Sequence, residues 1–249
     1  MSRVLIIESS ARQQDSVSRQ LTQQFIGQWR AAHPDDQLTV RDLATEQVPH
    51  LDATLLGGWM KPSEQRTTTE QAALDRSNQL TDELVAADVL VLAAPMYNFA
   101  IPSTLKAWFD HVLRAGITFK YGETGPQGLL VGKRAFVLTA RGGIYAGSSL
   151  DHQEPYLRQV LGFIGIHDVT FIHAEGLNMG GDFVEKGMNQ AIQTRPGRLT
   201  PLHCRFPLGT RRSWVRGPID PSLAVIGLFS VWNSTGRSTF LRNMTRLGC

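Results

Sequence analysis

The sequence predicts an α/β domain: a five-stranded parallel sheet with helices on both faces, followed by a basic appendage. Two observations carry the fold class and a third carries the division of the chain. Short apolar runs alternate with helical-period segments from Arg3 to Gln190, which is the pattern of repeated strand–helix units. The longest apolar stretches, Val89 to Met96 and Leu223 to Trp232, fall short of the roughly 20 residues that cross a bilayer, so the runs are read as strands and core helices. Of the 25 Lys and Arg residues, 9 lie beyond Ala191, all Arg, with Asp220 as the only acid there; the tail balances at +8 and the body at −5. Two units are therefore expected: residues 1–191, and a Pro/Arg-rich tail of residues 192–249.

Strand one is Arg3 to Glu8, and the helix after it repeats Val17, Leu21, Phe25 and Trp29 at fourfold spacing. Leu38 to Leu43 suits strand two. Residues 44–67 are polar and read as a connection, and Thr68 to Ala87 as a long amphipathic helix through Ala73, Leu80 and Leu84. Asp88 to Ala94 is apolar on both faces, as a buried central strand must be, and Pro95 ends it. Pro102 to Arg114 is helical, with Pro102 in the first turn. Its Leu105, Ala107, Trp108, Phe109, Val112 and Leu113 cover more than one face, more than a one-sided surface helix should carry, and this favours a homodimer. Arg134 to Ala140 is strand four, Tyr156 to Ile164 a helix, Asp168 to Ala174 strand five, and Asp182 to Gln190 the start of a last helix. Beyond Ala191 neither period persists, and 5 of the 12 prolines and both cysteines, Cys204 and Cys249, lie there. The tail admits three readings: a disordered basic arm, a small subdomain, or an out-of-frame ending. Its all-Arg basicity and the interrupted helix favour the third.

In an open parallel sheet a ligand sits beyond the carboxyl ends of the strands where strand order reverses, and in the order 2-1-3-4-5 the loops after strands one, three and four share one crevice. The first loop, Ser9 to Ser18, lacks the glycines of a dinucleotide fingerprint but brings Ser10, Ser16 and Ser18 to a helix start. Free N–H groups, hydroxyls and the positive dipole end there suit a phosphate, while capping by Asp15 or Ser16 explains the same residues without a ligand. The second loop, Ala94 to Ser103, carries Met96, Tyr97 and Phe99, which suit the wall of a flat ring or a hydrophobic plug. In the third, Arg141-Gly142-Gly143, the paired glycines permit close backbone approach to a ring edge, or simply a tight turn.

Taken together, Ser10 with Ser16-Val17-Ser18, Ala-Pro95-Met96-Tyr97-Asn98-Phe99 and Arg141-Gly142-Gly143 closely resemble the FMN-dependent NADH azoreductases, quinone reductases of flavodoxin-like fold, over about residues 1–190. The resemblance implies that Ser10, Ser16, Val17 and Ser18 hold the FMN phosphate, and that Pro95 to Phe99 with Arg141, Gly142 and Gly143 surround the isoalloxazine. Tyr145, where the family often has His, is then the candidate donor to the flavin, and Ala140 stands where Ser is common. The resemblance also implies two-electron ping-pong transfer through flavin N5 from NADH or NADPH to quinones and azo compounds. Phe99, Tyr121 and Phe163 are candidates to stack on the acceptor, in a homodimer with sites at its interface.

Other chemistries find less support. Gly128 to Lys133 is one residue short of a phosphate loop and is followed by Arg134 where Ser or Thr is required. The seven histidines form no helical metal pair, there is no Gly-x-Ser-x-Gly elbow, and the body's lack of cysteine excludes thiolate catalysis and Cys-ligated zinc. An acidic body argues against a nucleic-acid face, with the tail left open. The absence of a leader or spanning segment leads to a cytoplasmic expectation with no membrane partner. The competing readings are a non-catalytic flavodoxin-like electron carrier and an NADPH-dependent quinone or metal-ion reductase.

Overall fold

The computed structural model describes residues 1–193. Apart from Ile192 and Gln193, the basic tail, with the three readings of it, lies outside the described residues. Five parallel strands form the main sheet: β1 (Arg3–Glu8), β2 (Gln37–Asp42), β3 (Val89–Pro95), β6 (Arg134–Ala140) and β7 (Asp168–Ala174), in the order β2-β1-β3-β6-β7. A separate antiparallel hairpin, β4 (Phe119–Gly122) with β5 (Gly125–Gly128), accounts for the two extra numbers. Without it the order is the expected 2-1-3-4-5.

Side-chain alternation sorts the core into two layers. Val4, Ile6, Val91, Phe136 and Leu138 face α1 (Val17–Ala32) and α6 (Asp182–Gln193). Leu5, Ile7, Leu90, Leu92, Ala135 and Val137 face α3 (Thr68–Ala86), α4 (Ser103–Val112) and α5 (Gln153–Phe163). The central strand β3 has both faces covered and every residue buried, which is why its sequence does not alternate. Thr67 opens α3 with a full capping box closed by Glu70.

Four expectations are corrected. The polar connection before α3 contains α2 (Ala53–Met60), capped by Asp52, and a 3-10 turn at Ser63–Gln65. The hairpin β4–β5 replaces what the sequence left without an element. The last helix, expected to start over Asp182 to Gln190 and to lose its period after Ala191, runs from Asp182 to Gln193. Finally, Leu105, Ala107, Trp108, Phe109 and Val112 of α4 are all buried within the chain's own core, so the apolar surplus that favoured a homodimer is consumed inside one copy. Among the described residues no helix is long and apolar enough to cross a membrane.

Parallel pairing sets the position of the site. Glu8 lies opposite both Asp42 and Ala93, and Ala140 opposite both Pro95 and Ala174. The carboxyl ends of β3 and β6 are thus level, with β1 ending two residues earlier, and the three loops suspected from sequence leave the same edge of the sheet.

Candidate active site

The first loop ends at Ser16, whose extended backbone and side chain cap α1 by accepting the Arg19 N–H; Asp15, the other capping candidate, does not serve. Ser16 Oγ donates to Ser10 Oγ at 2.8 Å and lies 3.1 Å from Ser18 Oγ. All three serines are buried. No acidic residue occupies the first turn of α1, so the converging hydroxyls meet a positive helix end, a combination suited to a phosphate, although Asp15 before the cap also lines the groove. Arg19 secures this loop from behind. Its guanidinium is bidentate to Asp42 at 2.7 and 2.9 Å, and it also donates to the carbonyls of Arg12 (2.8 Å) and Ser10 (3.2 Å).

The electrostatics follow from this packing. Burial alone would raise the Asp42 carboxyl, but the bond from Arg19 and the N–H groups of Ala44 and Thr45 outweigh it and hold the group below the usual range. Beneath the loop, Glu8 has no such partner set: burial lifts its pKa to about 7, against the opposing pull of the Thr22 hydroxyl and Arg19, and its Oε2 is buried without a hydrogen bond.

The second loop makes a sharp reversal. Tyr97 and Ala100 exchange both backbone hydrogen bonds at 3.0 Å, and the residues between them, Asn98 (φ 49°) and Phe99 (φ 68°), are both left-handed. Such a turn normally takes Asn-Gly, so a phenylalanine there stores backbone strain of the kind found at ligand sites. The turn displays Phe99, 44% exposed, and turns the Tyr97 hydroxyl back to accept the Ala11 N–H of the first loop.

In the third loop the glycines leave room for neighbouring side chains. A Cβ on Gly142 would come 2.6 Å from Asn178 Nδ2, and one on Gly143 would come 2.9 Å from the Tyr145 ring. Tyr145 packs edge-on against Phe99, with ring centroids 5.8 Å apart, joining the second and third loops.

One groove of about 320 Å³ collects Ser10, Ser16, Val17, Ser18, Pro95, Met96, Tyr97, Arg141 and Gly142 from all three loops. An adjacent cavity of about 700 Å³ shares Tyr97 and adds Asn98, Ile101, Lys106, His152 and Tyr156. Burial pushes the Tyr156 phenol up to about 12, which keeps it protonated, and Lys106 is neutralised by Asp110 at 2.6 Å. Phe99, Gly143 and Tyr145 adjoin these walls through the contacts just described. Tyr121 and Phe163 line neither space. Both instead pack on Phe119 of the hairpin, at 5.6 and 4.5 Å, with Phe163 set against the core and Tyr121 58% exposed.

Sequence reasoning missed Leu177 and Asn178, which reach the groove because β7 lies beside β6, and it also missed Tyr156 and His152 from the start of α5. Among the described residues no group of His, Cys, Asp or Glu is placed to hold a metal ion. The residues present fit FMN. A buried hydroxyl trio would suit a terminal phosphate, a glycine pair would leave backbone open to a ring edge, and aromatic and thioether side chains would supply flat apolar walls.

The family model described as flavodoxin-like fold matches residues 2–195. The chain is 83% identical over 191 residues to FMN-dependent NADH:quinone oxidoreductase 2 of Pseudomonas fluorescens (strain Pf0-1), covering 77% of this chain and 96% of that one. It is 78% identical over 191 residues, with the same coverage, to the FMN-dependent NADH:quinone oxidoreductase of Azotobacter vinelandii. A crystal structure of an FMN-dependent NADH-azoreductase from Bacillus anthracis in complex with FMN superimposes with a TM-score of 0.72 at 28% identity, over 78% of this chain and 98% of that one.

Proposed function

The chain belongs to the flavodoxin-like family, and on that premise we propose that it is an FMN-dependent NADH:quinone oxidoreductase that also reduces azo compounds. The observation that carries this reading is the single groove in which the buried Ser10–Ser16–Ser18 hydroxyls meet the Pro95–Tyr97 and Arg141–Gly142 segments. When bound, FMN supplies two-electron transfer at N5, taking a hydride from the donor and reducing the acceptor.

The protein's own residues bind, orient and shield. Ser10, Ser16 and Ser18 with the α1 N-terminus would hold the phosphate, and Val17 lines that end of the groove. Pro95, Met96, Tyr97 and Asn98 with Gly142 and Gly143 flank the ring, and the edge-on pair of Phe99 and Tyr145 borders the open face. The adjoining cavity, walled by Ile101, His152 and Tyr156, is large enough for a nicotinamide or a quinone. No protein acid or base is required. NADH is favoured over NADPH as donor by the names of the relatives, and the electron-carrier reading is not favoured because those relatives are named oxidoreductases.

All these residues lie before position 192, so residues 1–191 constitute the proposed FMN-binding unit, the length over which the relatives match. Tyr121 and Phe163 line neither the groove nor the cavity of their own chain, so neither is retained as an acceptor contact within one copy. The homodimer remains part of the proposal from the family resemblance alone, since α4 no longer supports it. Because one open face serves both substrates in turn, steady-state rates with varied NADH and quinone should give parallel double-reciprocal lines. Intersecting lines would require a ternary complex and refute the shared face.

A further inference from the structure

A buried polar centre lies behind the ring end of the groove. The Arg141 side chain is fully buried, with Nη1 2.9 Å from Asp151 Oδ2 and 3.2 Å from Glu175 Oε1. Its Nε donates to Gln153 Oε1 at 3.2 Å, and Gln153 Nε2 donates in turn to the carbonyl of Ala94 at 2.9 Å, at the base of the 95–99 loop. On the other side, Glu175 Oε1 accepts the backbone N–H groups of Tyr145 (2.8 Å) and Ala146 (2.9 Å) in the loop after Gly143. Asp151 is fixed independently, its Oδ1 accepting the N–H groups of Gln153 and Glu154 at 3.0 Å as α5 begins.

Stability alone is a poor reason for this centre. A buried cation with two carboxylates gains little over well-packed apolar residues, because desolvation offsets the attraction. Its connections indicate another use. One guanidinium ties a carboxamide that holds the base of the second loop to a carboxylate that holds the third, and these two loops form the proposed walls of the ring site. We propose that Arg141, Gln153 and Glu175 are a positioning clamp that fixes the spacing of the two ring-side loops, acting on the cofactor through the backbone of Tyr145 and Ala146 and not by direct contact. Arg141, expected from sequence as a cofactor contact, then serves mainly as the hub. The inference rests on the FMN reading of the groove.

Hydrogen exchange of the apo protein, followed by titration with FMN, tests the clamp. In the wild type the Tyr145 and Ala146 amides should be protected. Glu175→Ala should release both and weaken FMN binding by about tenfold or more, with a shifted visible flavin spectrum. Glu175→Gln keeps a carbonyl oxygen for the two N–H donors and should stay within about threefold of the wild type. Wild-type amides that exchange as fast as an unstructured peptide would overturn the clamp even if no variant folds. So would a folded Glu175→Ala protein with wild-type FMN affinity and spectrum, since a purely structural role lowers only the melting temperature. Wild-type protein that takes up no FMN would refute the reading of the groove, and the apo exchange rates would then decide the clamp alone.

Discussion

The two ends of the groove are prepared in different ways. At the phosphate end Ser10, Ser16 and Ser18 are buried, hydrogen-bonded to one another and held by Arg19, so the polar groups are in place before any ligand arrives. At the ring end Tyr97 and Phe99 are exposed, two non-glycine residues sit in left-handed backbone, and the order comes from behind, through Arg141. The difference matches what each end is proposed to bind. A phosphate needs fixed donors and a dipole, whereas a planar ring that exchanges substrates on one face needs accessible apolar walls at a set spacing.

Charge reversal at the phosphate end should have the largest effect. Ser18→Asp places a carboxylate against a phosphate at a helix N-terminus and should weaken FMN binding about 100-fold, read by quenching of flavin fluorescence. Unchanged affinity would move the phosphate elsewhere. Next comes the pH dependence of the apo protein beneath that end. The folded-state pKa of Glu8, about 7, lies above its ordinary value of 4.5, so its protonated form favours the fold. That contribution is complete below about pH 4.5 and is lost as pH rises through about 7, a change of about 3 kcal/mol at most. Charged groups facing it are Arg19 of α1 and Asp42 of β2. Denaturant titrations of Glu8→Gln should lack this loss; a variant with the same pH profile as the wild type would acquit Glu8.

Ring-end changes should be smaller. Phe99→Ala removes one wall but leaves the phosphate grip, so FMN affinity should fall by about threefold to tenfold. A loss as large as that of Ser18→Asp would erase the distinction between the ends. Smallest of all should be Tyr145→Phe, whose hydroxyl lies over Gly143: one neutral hydrogen bond corresponds to less than about a tenfold change in turnover.

The same division governs what the sequence reveals. Strands such as Val89 to Ala94 and the three loops are legible because burial and turn chemistry act on neighbouring residues. The hairpin at Phe119–Gly128 is not, since Gly125-Pro-Gln-Gly128 carries no alternation, and α2 is hidden in a segment whose polar flanks mask it. The supports of the site are missed for a different reason. Arg19 finds Asp42, and Arg141 finds Glu175, only after parallel pairing sets β2 beside β1 and β7 beside β6. Residues that touch a ligand cluster in loop motifs, whereas residues that hold those loops are distributed across the sheet. The apolar α4 shows the converse error, in which a pattern taken for a surface belongs to the core.

Anaerobic addition of NADH to the FMN-loaded protein separates a working redox group in this groove from a passively bound one. For an oxidoreductase the yellow absorbance should bleach in step with NADH consumed and return when a quinone is added. A protein that binds FMN tightly yet stays yellow with excess NADH would contradict the oxidoreductase reading.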